Sequence, residues 1–325
     1  MTQIDRMTME EKFFSTNYNF SYSGLNKLLF SPRLWYKHYV LQEREERTDK
    51  HLIDGKVIHA LLLDEKNFNK NFMLLPGNLP TGNTRTVIDK VFNMVNDGSS
   101  LIDNKDIIIE TLKEINLHQS LKTDEQRVAK IVSDDTDSYW EFLKNKKGKD
   151  IIDQDTLDRC KENADLLKAN DKISELLRIN NTDKKVQVYN EIPIERALEN
   201  YPFGLKGIID NIVIDEEKKE VYINDIKTTG KTISDFKETV EYYNYWLQAS
   251  VYRELIRDMC PDDYKFKFTF IVIDIYQQVY PFEVADSTMN DWSAKASEVL
   301  EDAKWHYANR KFNLPIKFEK ETVML

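Results

Sequence analysis

From Val186 onward the chain changes texture. Runs at 186–194, 205–214, 220–227, 266–275 and 278–284 are dense in Val, Ile, Tyr and Phe, the side chains that suit a pleated, half-buried surface. A helical stretch at about 234–259 separates the third run from the fourth, and an amphipathic one at about 287–310 follows the last. This order predicts a mixed central sheet flanked by helices, an α/β fold, or α+β if the pairing is mostly antiparallel.

Charge inside those apolar runs is what narrows the function. Asp210 closes the second run, and Asp225 and Lys227 lie within the third, Tyr222-Ile223-Asn224-Asp225-Ile226-Lys227-Thr228. Alternate residues of a strand share a face, so the carboxylate and the ammonium occupy one surface. A turn at Glu216 to Lys219 folds the two strands into a hairpin and can set Asp210 beside Asp225. Neighbouring carboxylates repel, and a hard divalent cation relieves that repulsion, magnesium being the natural occupant. Such an ion can polarise a phosphodiester oxygen and acidify a bound water. Lys227 can then orient the water or neutralise charge on phosphorus. Asp-x-Lys also occurs at Asp64/Lys66, Asp183/Lys185 and Asp263/Lys265. Only around Asp225 do apolar strand neighbours make the charges costly unless they have a task.

Further groups fall on helices. Gln248 and Tyr252, four apart, share a face with Tyr245 and can line one wall. Ser21 or Ser23 can cap a helix bearing Leu25, Leu28 and Leu29, and Ser31-Pro32 opens a second. A third runs from about Asp54 to Asp64, with Gly55 and His59 on it; His59 is either a ligand or a packed structural imidazole. After the turn-rich segment Pro76 to Thr84 come polar helical segments at roughly 85–95, 105–117, 123–132 and 154–180. They are broken at Asp97 to Ser100 and at the lysine-rich Lys144 to Lys149. The organisation expected is an N-terminal helical part, 1–75, carrying His59; a helical insertion, 76–185; and a core, 186–325.

Composition removes several classes. The hydrophobic share of 41% in 325 residues can fill a core. No run reaches the ~20 apolar residues of a membrane span, and Asp5, Glu10 and Glu11 do not suit a secretory leader, so an intracellular, cytoplasmic setting is expected. Cys160 and Cys260 stand in no ligand spacing, which leaves plain thiols and no iron–sulfur cluster. A formal charge of −10 argues against non-specific coating of nucleic acid but permits a local basic channel. Thr229-Gly230-Lys231-Thr232 imitates the end of a phosphate-binding loop, but Asp225 stands where its first glycine is required.

The set Gly55-x-x-x-His59, Gly207-x-x-Asp210, Asp225-x-Lys227-Thr228 and Gln248-x-x-x-Tyr252 resembles the signature of RecB-type nucleases in the PD-(D/E)XK superfamily. Ser23-Gly24-Leu25, Ser31-Pro32 and Gly55 through Leu63 look more closely like the phage and prophage exonuclease VIII (RecE) group. The match spans about 20–75 and 186–310. It implies a restriction-endonuclease-like core and a magnesium site, with manganese able to substitute. The ligands implied are His59, Asp210, Asp225 and the backbone carbonyl of Ile226, with Glu191 in the preceding strand a further acidic candidate. Lys227 is the implied catalytic lysine, and Gln248 and Tyr252 organise the site. The resemblance also implies exonucleolytic digestion of linear duplex DNA, 5′ to 3′, by a homo-oligomeric ring. Such a ring hands its product to a single-strand annealing protein; Lys206, Lys231 and Lys237 are candidates to face DNA inside it, or else plain solubilising lysines. The rivals are an endonuclease on the same core and a DNA-binding module without catalysis.

Overall fold

The computed structural model describes residues 8–43, 50–95, 98–259 and 261–320; Asp5, the charged residues 44–49, Asp97 and Cys260 lie outside them. The described strands are β1 (Asn19–Phe20), β2 (Phe72–Leu74), β3 (Asp150–Ile152), β4 (Val186–Ala197), β5 (Gly204–Asp215), β6 (Glu220–Thr229), β7 (Lys265–Asp274) and β8 (Val279–Val284). Contacts divide the chain into two compact units, one of residues 1–65 with 161–325, the other of residues 66–160. These limits differ from the composition-based ones at 75 and 185. The parallel pair β2–β3 draws residues 72–74 into the smaller unit, while the Asp171–Leu177 helix belongs to the larger.

The smaller unit is helical around that two-stranded pair. Val87, Val91, Ile108, Leu112, Tyr139 and Trp140 form its core. Its helices include Gly82–Met94, Lys105–Glu114 and Asp134–Asn145. The last was not expected from the sequence, because its first turn is acidic and reads as loop. Ser133 caps it through the Thr136 N–H, and that acidic turn suits the positive end of a helix dipole. The expected 154–180 helix is two, Gln154–Ala169 and Asp171–Leu177, because Asn170 caps a fresh start by accepting from Ile173 N–H at 3.2 Å.

The larger unit holds a mixed sheet in the order β1-β5-β6-β7-β8, with β4 on the other edge of β5. β4–β5, β5–β6 and β7–β8 run antiparallel; β1–β5 and β6–β7 run parallel. The mixed α/β architecture expected from the sequence is thus the one present. Ile212, Ile214, Val221, Ile223, Phe268 and Phe270 belong to its main core, packed with Leu247, Val251 and Ala303 from the Tyr245–Leu255 and Asp286–Asn309 helices. The single helix expected at 234–259 is broken into Phe236–Tyr242 and Tyr245–Leu255. Asn244 interrupts it at φ 56°, a left-handed conformation that asparagine reaches more readily than most residues. Its side chain is held by donating to Asn26 Oδ1 (2.8 Å) and accepting from the Trp246 indole (3.0 Å).

β5 forks the sheet. β4 pairs with it at every position except Glu191 opposite Asp210, but the other edge of β5 meets β1 only at Gly204–Leu205 and β6 only from Asn211 to Asp215. Residues 206–210 therefore have no strand partner on that edge among the described residues. Gly204 marks the upper end of the fork. A Cβ there would stand 2.5 Å from the Arg196 carbonyl oxygen, so no side chain fits.

At the other end, three asparagines stand in one register across the sheet: Asn190 faces Asn211, and Asn211 faces Asn224. Asn224 Nδ2 donates to Asn211 Oδ1 (2.7 Å), and Asn211 Nδ2 to Asn190 Oδ1 (2.8 Å). The same amides donate to the carbonyls of Leu63, Leu176 and Leu177, at the C-terminal turns of two helices that lack enough internal donors. Asn211 and Asn224 are fully buried. Substituting Asn211→Ala leaves the Leu177 carbonyl without its side-chain donor and removes both bonds of the ladder, and is expected to lower the unfolding free energy by about 3 kcal/mol in a urea titration. A loss below about 0.5 kcal/mol would show that the ladder does not tie these helices to the sheet.

Candidate active site

The fork brings the carboxylates together. The register that pairs Asn211 with Asn224 makes Asp210 and Asp225 the next opposed positions, just past the last β5–β6 pair. Asp210 fills the gap by accepting the Ile226 N–H at 2.7 Å through Oδ2, so a side chain replaces the missing rung of the ladder. Glu191 stands opposite Asp210 in the β4–β5 register, between the Asn190 and Ile192 pairs. Its backbone has φ 47°, a region that costs a β-carbon-bearing residue roughly 1 kcal/mol or more.

His59 arrives from the Lys50–Leu63 helix, one turn after Gly55, whose own position faces Thr228 of β6. Its Nδ1 lies 3.3 Å from Glu191 Oε1 and 3.6 Å from Asp210 Oδ1. On the other side of the ring, Nε2 meets the Ile226 carbonyl at 3.1 Å. One ligand atom from each of His59, Glu191 and Asp210 lies within 4.8 Å of the other two.

Asp225, fully buried, is not part of that trio. Its Oδ2 is ion-paired with Lys227, and its Oδ1 accepts from Gln248 Nε2 at 2.9 Å. Gln248 Nε2 also donates to the Tyr252 hydroxyl (3.0 Å), which donates in turn to the Ile208 carbonyl (2.7 Å) on the unpaired stretch of β5. Tyr252 lies over Gly207, where a Cβ would stand 3.1 Å from the ring. Tyr245, on the same helix, places its ring 4.8 Å from Lys227 Nζ. The candidate ligands and catalytic residues named from the sequence, His59, Asp210, Asp225, Lys227, Gln248 and Tyr252, are therefore in one cluster, with Glu191 inside it and the Ile226 carbonyl turned towards His59. Lys231 lies over Tyr242 and Lys206 over Tyr18; Lys237 is exposed. Tyr22, whose hydroxyl donates to the Tyr243 carbonyl beside the site, was missed. It opens the Tyr22–Phe30 helix, whose leucine spacing marks the face packed in the core and carries no sign of a polar contact.

The electrostatics are those of an acidic cleft. Burial opposes charge on His59, but Asp210 and Glu191 outweigh it and hold the imidazolium up to about 9. Burial pushes the Asp225 carboxyl up to about 6, Lys227 pulling it down and Asp210 adding to the rise. Burial works against the Lys227 ammonium too, yet Asp225 and Asp210 keep it protonated above its ordinary range. The potential that holds these protons would equally be met by a divalent cation. Gln248 Oε1 accepts no hydrogen bond, while Glu191 Oε1 and Asp225 Oδ2 have only their ionic contacts with His59 and Lys227. Hard oxygen donors with one imidazole suit magnesium or manganese, so the residues fit the group.

A mixed sheet with acidic groups, a lysine and an imidazole gathered at one strand fork is an arrangement able to hold a divalent cation. The profile of the PD-(D/E)XK nuclease superfamily matches residues 19–313, and the chain belongs to that superfamily. A crystal structure from Eubacterium rectale, described as that of a candidate exonuclease, superposes with a TM-score of 0.51 at 10% identity. The match covers 100% of this chain and 95% of that one, and it shows a shared fold. A second solved structure, SSO0001, matches at 12% identity over 74% of this chain and 93% of that one. Its TM-score of 0.27 is too low to carry an argument. No curated protein matches the chain. Among the described residues no helix is long and apolar enough to cross a membrane.

The left-handed backbone at Glu191 gives a stability test independent of activity. Glu191→Gly and Glu191→Ala both remove the carboxylate, but only alanine keeps the β-carbon that penalises φ 47°. The glycine variant is expected to be more stable by about 1 kcal/mol, measured as paired thermal or urea denaturation. The usual order for a strand, alanine above glycine, would contradict the strain.

Proposed function

We propose that this chain is a divalent-metal-dependent deoxyribonuclease acting as an exonuclease on linear double-stranded DNA. The observation that carries the reading is the juxtaposition of the His59, Glu191 and Asp210 trio with the buried Asp225–Lys227 pair at the fork of β5. In this reading His59, Glu191 and Asp210 hold the cation with Asp225 beside them, and the Ile226 carbonyl fixes the imidazole and closes that side of the site. Magnesium is the physiological occupant, with manganese able to substitute. When bound, it supplies Lewis-acid polarisation of a phosphodiester oxygen and a more acidic water.

The chain's own residues do the rest. Lys227, kept charged by Asp225 and Asp210, presents its ammonium to the phosphate and offsets negative charge as it develops on the oxygens. Gln248 holds Asp225 from behind, and Tyr252 pins the open edge of β5, so the carboxylates keep their spacing when substrate enters. The nuclease core in this reading is 186–325, completed by His59 from the N-terminal part through residue 75, with 76–185 as an insertion. The motifs resembling the exonuclease VIII group favour 5′ to 3′ digestion by a homo-oligomeric ring, in phage recombination or replication in a host cytoplasm, with a single-strand annealing protein as partner.

The test is degradation of end-labelled linear duplex DNA alongside the same DNA as covalently closed circles. Loss of the linear form alone is expected with Mg²⁺, abolished by EDTA. Lys227→Ala or Asp210→Asn should lower the rate by at least ~10²-fold. Cleavage of closed circles points to an endonuclease, and no cleavage despite DNA binding points to a module without catalysis.

A further inference from the structure

The break between the Phe236–Tyr242 and Tyr245–Leu255 helices does more than change direction: it lines up three tyrosine rings between the candidate site and solvent. Lys227 Nζ lies 4.8 Å from the Tyr245 ring. Tyr245 stacks on Tyr243 at 5.6 Å and 23°, and Tyr243 meets Tyr242 edge-to-face at 4.9 Å and 88°. The inner ring is largely covered, whereas Tyr243 is 48% and Tyr242 75% exposed. Lys231 places its ammonium over the outermost ring, 5.8 Å from its centre.

Rings left in water at such a place normally fold down onto the surface to bury apolar area. Here the backbone holds them out. The Tyr243 carbonyl accepts from both the Tyr22 hydroxyl and Asn26 Nδ2, the latter at 3.2 Å, and Asn244 is fixed at φ 56° by its bonds to Asn26 and Trp246. Phe30, 80% exposed, lies one turn beyond Asn26 on the same helix face.

We propose that Tyr242 and Tyr243 form a stacking platform for the unpaired nucleobases next to the cleaved phosphate, with Lys231 meeting the backbone phosphate of the same strand. The proposal rests on the nuclease reading of the site and adds to it the form of substrate received: a strand peeled from its complement. Three features select nucleobases as the occupant. The ring series runs unbroken to the catalytic lysine, ring faces bind every base without regard to sequence, and the cation over the outer ring matches a phosphate between stacked bases. An apolar protein partner has no use for that charge.

The platform is tested in EDTA, without cleavage, using single-stranded oligonucleotides carrying 2-aminopurine near the 5′ end. Stacking is expected to quench the base on binding to the wild type. Tyr242→Ala and Tyr243→Ala should each lose quenching and weaken binding roughly five- to 150-fold, while Tyr242→Phe and Tyr243→Phe keep both. In Mg²⁺ the alanine variants should lose more rate on blunt duplex ends than on ends already unpaired for a few nucleotides. Unchanged quenching and affinity in the alanine variants, or phenylalanine variants as impaired as alanine ones, overturns the platform. So does a change of sedimentation in the alanine variants without loss of binding, which marks the rings as a contact between copies. A wild type that cleaves no nucleic acid sinks the underlying nuclease reading instead, and the quenching measurement still decides the platform.

Discussion

The structure turns on one missing stretch of strand pairing. β5 is paired on one edge at every position but Asp210 and on the other only at its ends, so its middle, which enters the core at Ile209 and Asp210, presents unused backbone groups to whatever lies opposite. Buried backbone groups do not remain unpaired at low cost. The chain meets them with side chains that also define the site: Asp210 accepts the Ile226 N–H, and Tyr252 donates to the Ile208 carbonyl. The candidate site and the sheet architecture thus share the same atoms. Removing either side chain both alters the site and exposes a structural debt.

The second constraint is that three carboxylates and two cationic groups are packed within one partly buried region. Such a set is tolerable only because each charge has a fixed partner: His59 between Glu191 and Asp210, Lys227 against Asp225, Gln248 behind Asp225. The arrangement is not balanced for stability: burial raises the Asp225 carboxyl, with Asp210 adding to the rise, while against burial the carboxylates of Asp210 and Glu191 raise His59. Buried ionic clusters of this kind are weak contributors to folding and strong ones to binding small cations.

Much of this was legible in the sequence where periodicity and burial agree. The five later strands announced themselves by composition, and Asp225 and Lys227 stood out because charges inside an apolar strand need a reason. Helix starts at Ser21 and Ser31 followed from capping chemistry. What was not legible depended on tertiary pairing. The short strands β1, β2 and β3 exist only through their partners, the helix break at Asn244 is set by a side chain 218 positions away, and the acidic start of the Asp134–Asn145 helix hides its apolar face. Glu191 could be named as a candidate from the family resemblance, but its left-handed backbone could not be foreseen.

The asparagine ladder has a consequence for how the sheet finds its alignment. Along an apolar strand, a shift of two residues keeps every side chain on its own face, so isoleucine and valine as neighbours discriminate weakly against it. Three amides that must meet side by side and cap two helix ends at once leave one alignment in which both ladder bonds form and all three amides donate to helix carbonyls. They act as an index mark for the strands. Because Asp210 and Asp225 each adjoin an indexed asparagine, the mark also positions the carboxylates, and a misaligned sheet would carry no site at all.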